Sequence, residues 1–135
     1  MNSSSDKITK TDAEWQVRLT DQQYRVTRHK DAEPAFSGQY YNTKTPGTYH
    51  CVCCGQALFS STHKFDSGTG WPSFSAPADP KAVTTQPDHS LPTTRTEVLC
   101  NLCDAHLGHV FEDGPAPTGQ RYCINSAALK LAPQP

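Results

Sequence analysis

Residues 114–126 read Gly114-Pro115-Ala116-Pro117-Thr118-Gly119-Gln120-Arg121-Tyr122-Cys123-Ile124-Asn125-Ser126. The first six are turn formers, and the apolar residues after them recur at every second position, Tyr122 and Ile124. That combination predicts a turn followed by a short strand, with Cys123 on the face opposite Tyr122 and Ile124 and beside Arg121. Outward from this stretch the same rhythm repeats. Short β-type segments at 49–52, 57–59, 83–85, 94–99 and 109–112 stand between Gly- and Pro-containing turns, while 126–131 reads equally as a strand end or a loop. Such a pattern predicts a mainly β fold of small antiparallel sheets.

The N-terminal part differs. Thr11-Asp12-Ala13-Glu14 matches a capping box and opens a short helix through Leu19; Thr20-Asp21-Gln22-Gln23 opens a second through about Thr27. Trp15 and Leu19, four apart, form one apolar stripe. Residues 1–10 are polar and predict a disordered tail, leaving 11–133 as one domain. The segment from His29 to Pro46 is polar and aromatic and predicts an irregular wrap.

The chain has 135 residues with 35% hydrophobic content, 8 Gly and 11 Pro, enough for one turn-rich domain with a modest core. A net charge of −1 gives no electrostatic footing for nucleic acid or an anionic membrane. No apolar run reaches membrane-spanning length, and the first residues lack the apolar segment of a signal peptide. A cytoplasmic, reducing location is therefore expected, in which six cysteines serve as metal ligands or redox groups rather than staples.

Four of the six form two pairs, Cys51-x-x-Cys54 and Cys100-x-x-Cys103, with residues 55–99 between them. Each pair turns both sulfurs toward one point, and four thiolates complete a tetrahedral Zn2+ site with no open position. One structural zinc per chain is expected, clipping distant turns together. Cys53 competes with Cys54 for the ligand role on position alone, though Cys54 has the better spacing. Cys123 stands apart; a thiol beside a cation is a candidate nucleophile, and the plain alternative is a buried cysteine acting as a small apolar residue. His106 and His109, spaced i, i+3, are either proton-handling groups or loop-bonding side chains. Trp71, between Gly70 and Pro72, is by itself most simply a core aromatic.

Taken together, Gly68-Thr69-Gly70-Trp71-Pro72-Ser73-Phe74, His106-Leu107-Gly108-His109-Val110-Phe111, Asp113-Gly114-Pro115, Pro117-Thr118-Gly119 and Arg121-Tyr122-Cys123-Ile124-Asn125-Ser126 occur in order, with the paired cysteines among them. This set closely resembles the zinc-containing methionine-R-sulfoxide reductases of the MsrB type, over nearly everything from Thr11 to Leu131. The resemblance implies two small antiparallel sheets with short N-terminal helices and a structural zinc site. It also implies reduction of methionine sulfoxide, free or in proteins, at the R epimer. Cys123 matches the nucleophile, attacking sulfur as a thiolate and passing through a sulfenic acid. His109, with His106 beside it, matches the main proton donor or oxygen binder, Asn125 helps orient the sulfoxide oxygen, and Trp71 and Phe111 wall the substrate methyl. Arg121 is expected to favour the thiolate. Many relatives carry a resolving cysteine where this chain has Thr69, which leaves Cys53 as the intramolecular candidate and thioredoxin or a small thiol as the favoured reductant. A monomer is expected. A zinc-ribbon binding module explains the four cysteines but neither Cys123 nor the Gly-Trp-Pro turn. A zinc hydrolase or deaminase needs an open metal position and a His-Glu-x-x-His or His-x-Glu motif, and neither motif occurs.

Overall fold

The structure is a computed structural model that describes residues 7–134. Both capping boxes form. Thr11 Oγ1 accepts from Glu14 N and Glu14 Oε1 from Thr11 N at 3.0 Å, starting helix α1, Asp12–Arg18. Thr20 and Gln23 do the same for α2, Asp21–His29. Each box satisfies two N–H groups that the first turn cannot satisfy itself. Trp15 is buried at 1% exposure, with the Arg28 guanidinium over its ring at 4.4 Å. α2 ends where Lys30 enters the left-handed region at φ 57°, which turns the chain and aims Lys30 at two carboxylates described below.

Among the described residues nine strands follow: β1 Gly47–Cys51, β2 Ala57–Ser60, β3 Lys64–Phe65, β4 Ser73–Phe74, β5 Val83–Asp88, β6 Arg95–Cys100, β7 His106–Phe111, β8 Arg121–Ile124 and β9 Leu129–Pro133. They form two antiparallel sheets, one ordered β2-β1-β9 and the other β3-β4-β8-β7-β6-β5. The mainly β fold with two sheets and two short N-terminal helices is thus the one expected. The unresolved choice at 126–131 comes out as a 3-10 turn, Ser126–Ala128, running into β9. β7 begins at His106, three residues earlier than the periodicity suggests, because Gly108 lies inside the strand rather than in a turn. The two-residue strands β3 and β4 have no signal of their own; β4 forms by pairing with β8, and β3 by pairing with β4.

The tail expected over 1–10 lies outside the described residues up to residue 6. From Lys7 the chain is tied down: Ile8 N donates to Leu102 O at 2.8 Å, and Lys7 Nζ meets Asp104 at 2.7 Å.

Between the sheets runs an aromatic chain, Tyr40–Tyr49–Phe74–Phe59–Tyr122, with Phe59 and Phe74 stacked at 4.5 Å. Tyr122 and Ile124 face this core, so period-two alternation sends Arg121 and Cys123 to the other side of β8. No helix among the described residues is long and apolar enough to cross a membrane.

Candidate active site and metal centre

On the outer face of the larger sheet Cys123 occupies a central position, opposite Ser73 of β4 and His109 of β7. It opens into a cleft of about 590 Å3 whose walls include His106, His109, Phe111, Arg121, Asn125 and Trp71. Every residue singled out around Cys123 in the sequence therefore lines one cavity. Gly108, between the two histidines, is paired with Ile124 of β8; a Cβ there would sit 3.0 Å from the Cys123 carbonyl carbon and the Ile124 Cα, tighter than carbon atoms pack.

The histidines are each held by a buried carboxylate. His106 Nδ1 donates to Glu97 Oε2 at 2.7 Å, and His109 Nε2 donates to Asp88 Oδ2 at 2.7 Å; carboxylate oxygens only accept, which fixes where the ring protons lie. Lys30 Nζ bridges the two acids at 3.3 Å from each, and Arg95 reaches Asp88 at 3.4 Å. The bond from His109, then those from Ser90, hold Asp88 far below the usual carboxylate range. Burial pushes Glu97 up, but bonds from Gln86 and His106 outweigh it and leave it lowered. Burial also dominates at His106 and lowers it despite Glu97, which makes the ring neutral at pH 7. This network was not found in the sequence. Glu97 faces His109 across β6 and β7, a relation visible only once the register is known.

At Cys123 burial pushes the thiol up, while the Arg121 charge and a bond from Thr69 pull it down without prevailing. Arg121 is engaged elsewhere. It grips Asp113 through Nε at 2.9 Å and a second nitrogen at 3.1 Å, and its guanidinium covers the Phe111 ring at 4.5 Å. The Arg121 charge favours the thiolate, but burial outweighs it and leaves the thiol raised. The Thr69 hydroxyl sits in the Gly68–Gly70 turn, where Gly70 holds φ at 92° and a side chain would strike Phe36 N. Trp71 presents its ring to the cleft while Nε1 donates to Glu33 O at 3.0 Å. Asn125 Oδ1 accepts from Glu33 N at 3.1 Å and Nδ2 donates to Leu107 O at 3.1 Å, which leaves one N–H of Nδ2 for a ligand.

A second cluster lies apart from the cleft. Cys51, at the end of β1, and Cys100, at the end of β6, bring one Cys-x-x-Cys knuckle from each sheet together. The sulfurs of Cys51, Cys54, Cys100 and Cys103 all lie within 4.8 Å of one another, with Cys51–Cys103 and Cys54–Cys100 at 3.6 Å. Four thiolates at about 2.3 Å from one ion would stand about 3.8 Å apart, so the set fits a tetrahedral metal. Cys54, not Cys53, belongs to it. Arg28 donates to Cys103 Sγ at 3.6 Å and Gln56 to Cys100 Sγ at 3.4 Å, an outer ring of donors of the kind that steadies metal thiolates. Cys53 is buried against the same knuckle and lines no part of the cleft around Cys123.

Comparison with known proteins gives the family. The SelR domain family matches residues 19–133. The peptide methionine sulfoxide reductase MsrB of Hahella chejuensis is 61% identical over 126 residues, covering 93% of this chain and 91% of the relative. The chain belongs to the MsrB family. The corresponding protein of Acinetobacter baylyi is 59% identical over 125 residues, covering 93% of this chain and 90% of the relative. As an MsrB-family oxidoreductase the chain combines one cleft cysteine with a separate four-cysteine cluster, and no residue of that cluster lines the cleft.

Proposed function

We propose that this chain reduces methionine-R-sulfoxide, free or in oxidised proteins, to methionine through Cys123. The observation that carries the reading is a single cysteine set mid-sheet between Trp71 and a carboxylate-held histidine pair, in a cleft of side-chain size. The Cys123 thiolate attacks the sulfoxide sulfur as one proton goes to the sulfoxide oxygen; the resulting hydroxyl then passes from the substrate sulfur to the Cys123 sulfur as the transient bond between the two sulfurs breaks. The products are methionine and a sulfenic acid at Cys123, so sulfur in the substrate is reduced and sulfur in the enzyme oxidised. His109 supplies the proton. Its Nε2–H is committed to Asp88, so the proton it delivers is one carried on Nδ1 of the doubly protonated ring, and neutral His106 beside it completes the polar wall. The remaining Asn125 N–H orients the oxygen, and the Trp71 ring, with Phe111 across from it, takes the methyl.

An external thiol, thioredoxin or a small thiol, then attacks the sulfenic sulfur and releases water. A second thiol resolves the mixed disulfide and restores Cys123. The burial of Cys53 in the metal knuckle, outside the cleft, supports an external reductant over an internal one. Zinc is the metal that suits four cysteine thiolates; Cys51, Cys54, Cys100 and Cys103 would hold it, and bound there it supplies folding free energy. The protein acts as a cytoplasmic monomer in oxidative damage repair.

The test is turnover of the separated R and S sulfoxide epimers with dithiothreitol as reductant. Wild type is expected to reduce the R epimer alone and Cys123→Ser neither. Full turnover by Cys123→Ser would overturn the reading. Mass spectrometry after a single turnover without reductant is expected to find a trappable sulfenic acid and no Cys53–Cys123 bond.

A further inference from the structure

Glu33 is 2% exposed, carries a carboxylate, and has no part in the chemistry above. Among the described residues no cation pairs with it. Its Oε1 accepts from Ala127 N at 2.8 Å, and its Oε2 is buried without a partner. Gly38 makes room for it: a Cβ on Gly38 would collide with Oε2. Burying an unpaired carboxylate is costly, so a site that keeps one uses it to hold something.

What Glu33 holds is visible from its own main chain. Glu33 N–H donates to Asn125 Oδ1, and Glu33 C=O accepts from Trp71 Nε1. The indole N–H has that one partner, and Asn125 Oδ1 has that one partner. Two side chains from distant parts of the sequence, both lining the cleft with Cys123, are therefore registered against a single peptide segment. That segment has no strand to fix it. Pro34 restricts Glu33 to extended backbone, Phe36 N ties the chain just beyond it to Gly70 O at 2.8 Å, and at Glu33 itself the side chain adds a tether to Ala127, in the 3-10 turn just past β8.

We propose that Glu33 is a positioning residue for the sulfoxide site: its carboxylate, fastened to the Ala127 N–H, fixes one stretch of main chain whose C=O and N–H set Trp71 and Asn125 relative to Cys123. This rests on the reading of the cleft given above. The essential property is an acceptor of the right length, and negative charge is incidental to it. Charge even works against the thiolate, since Glu33 pushes Cys123 upward.

Glu33→Gln and Glu33→Met separate these properties. Gln keeps an oxygen for Ala127 N–H without the charge; Met fills the space and offers no acceptor. Glu33→Met is expected to lose on the order of 100-fold in kcat/KM, the effect of an ångström-scale misplacement, with a weakened indole fluorescence response to substrate. Glu33→Gln is expected to stay within about fivefold of wild type. If Glu33→Met does not fold, Glu33→Asp replaces it, with a carboxylate one methylene short of Ala127, and the same loss is expected. Wild-type kinetics and fluorescence in the Met or Asp variant would overturn the inference. So would a Gln variant as impaired as Met, which would make Glu33 a charged or proton-carrying group. A wild type inactive on every methionine sulfoxide would sink the reading of the cleft and this inference with it. An active wild type matched by Glu33→Met would sink the inference alone.

Discussion

Replacing Gly108 by alanine perturbs the active site through the backbone alone. The added methyl would meet the Cys123 carbonyl group and lie 3.0 Å from both the Cys123 carbonyl carbon and the Ile124 Cα. Ordinary carbon contact begins near 3.5 Å, and the carbonyl oxygen is closer still, so β7 and β8 have to separate by roughly 1 Å. Overpacking of this kind costs about 1–3 kcal/mol, which for a domain of this size is a fall of about 3–10 °C in thermal midpoint. The catalytic consequence is larger than the stability one. His109 and Cys123 are direct partners across these two strands, and moving one against the other by about 1 Å is expected to lower kcat/KM about 100-fold. Methionine formed from the R sulfoxide with dithiothreitol, followed by chromatography well below the variant's melting temperature, separates the two effects. A Gly108→Ala enzyme with unchanged melting and kcat/KM within twofold of wild type would show that the β7–β8 spacing does not set the site.

Three further outcomes are expected. Cys100→Ala, or prolonged chelation of wild type, should abolish cooperative thermal unfolding; Arg28→Ala should keep the fold yet release metal to a chromogenic chelator about 10-fold faster, since it removes a donor to Cys103 Sγ. Asp88 is held far below its ordinary value, so the stability it contributes is present above about pH 4 and lost as pH falls below. Asp88→Asn should flatten that acid limb of a melting-temperature profile and, by freeing His109, lower kcat about 100-fold. The alkylation rate of Cys123 should climb with pH and pass its midpoint above the ordinary thiol value, because burial outweighs Arg121. Arg121→Ala should move that midpoint higher, and a wild-type midpoint below the ordinary value would contradict the balance described here.

Where local chemistry decides the outcome, the sequence was readable. Thr11 with Glu14 and Thr20 with Gln23 announce both helices, because a capping box is satisfied within four residues. Alternation at Tyr122 and Ile124 announces β8 and puts Cys123 on its opposite face for the same reason. Where pairing decides, it was not. β4 exists because Ser73 and Phe74 lie against Cys123 and Tyr122, fifty residues away in sequence terms. Asp88, Glu97 and Lys30 carry no motif; each is an ordinary charged residue until β5, β6 and the end of α2 converge on the histidines. Arg121 shows the limit from the other side. Its neighbourhood to Cys123 was legible, but its bond to Asp113 and the burial of the thiol were properties of the assembled cleft.

Cys123 belongs to a strand bonded along both edges, to β4 on one side and β7 on the other. A sulfur anchored in this way has no hinge. In the reaction proposed above it would stay at the floor of the cleft throughout, so methionine would have to vacate before regeneration starts. The incoming donor would then need a slender, protruding sulfur, and the two half-reactions would take turns in one trough.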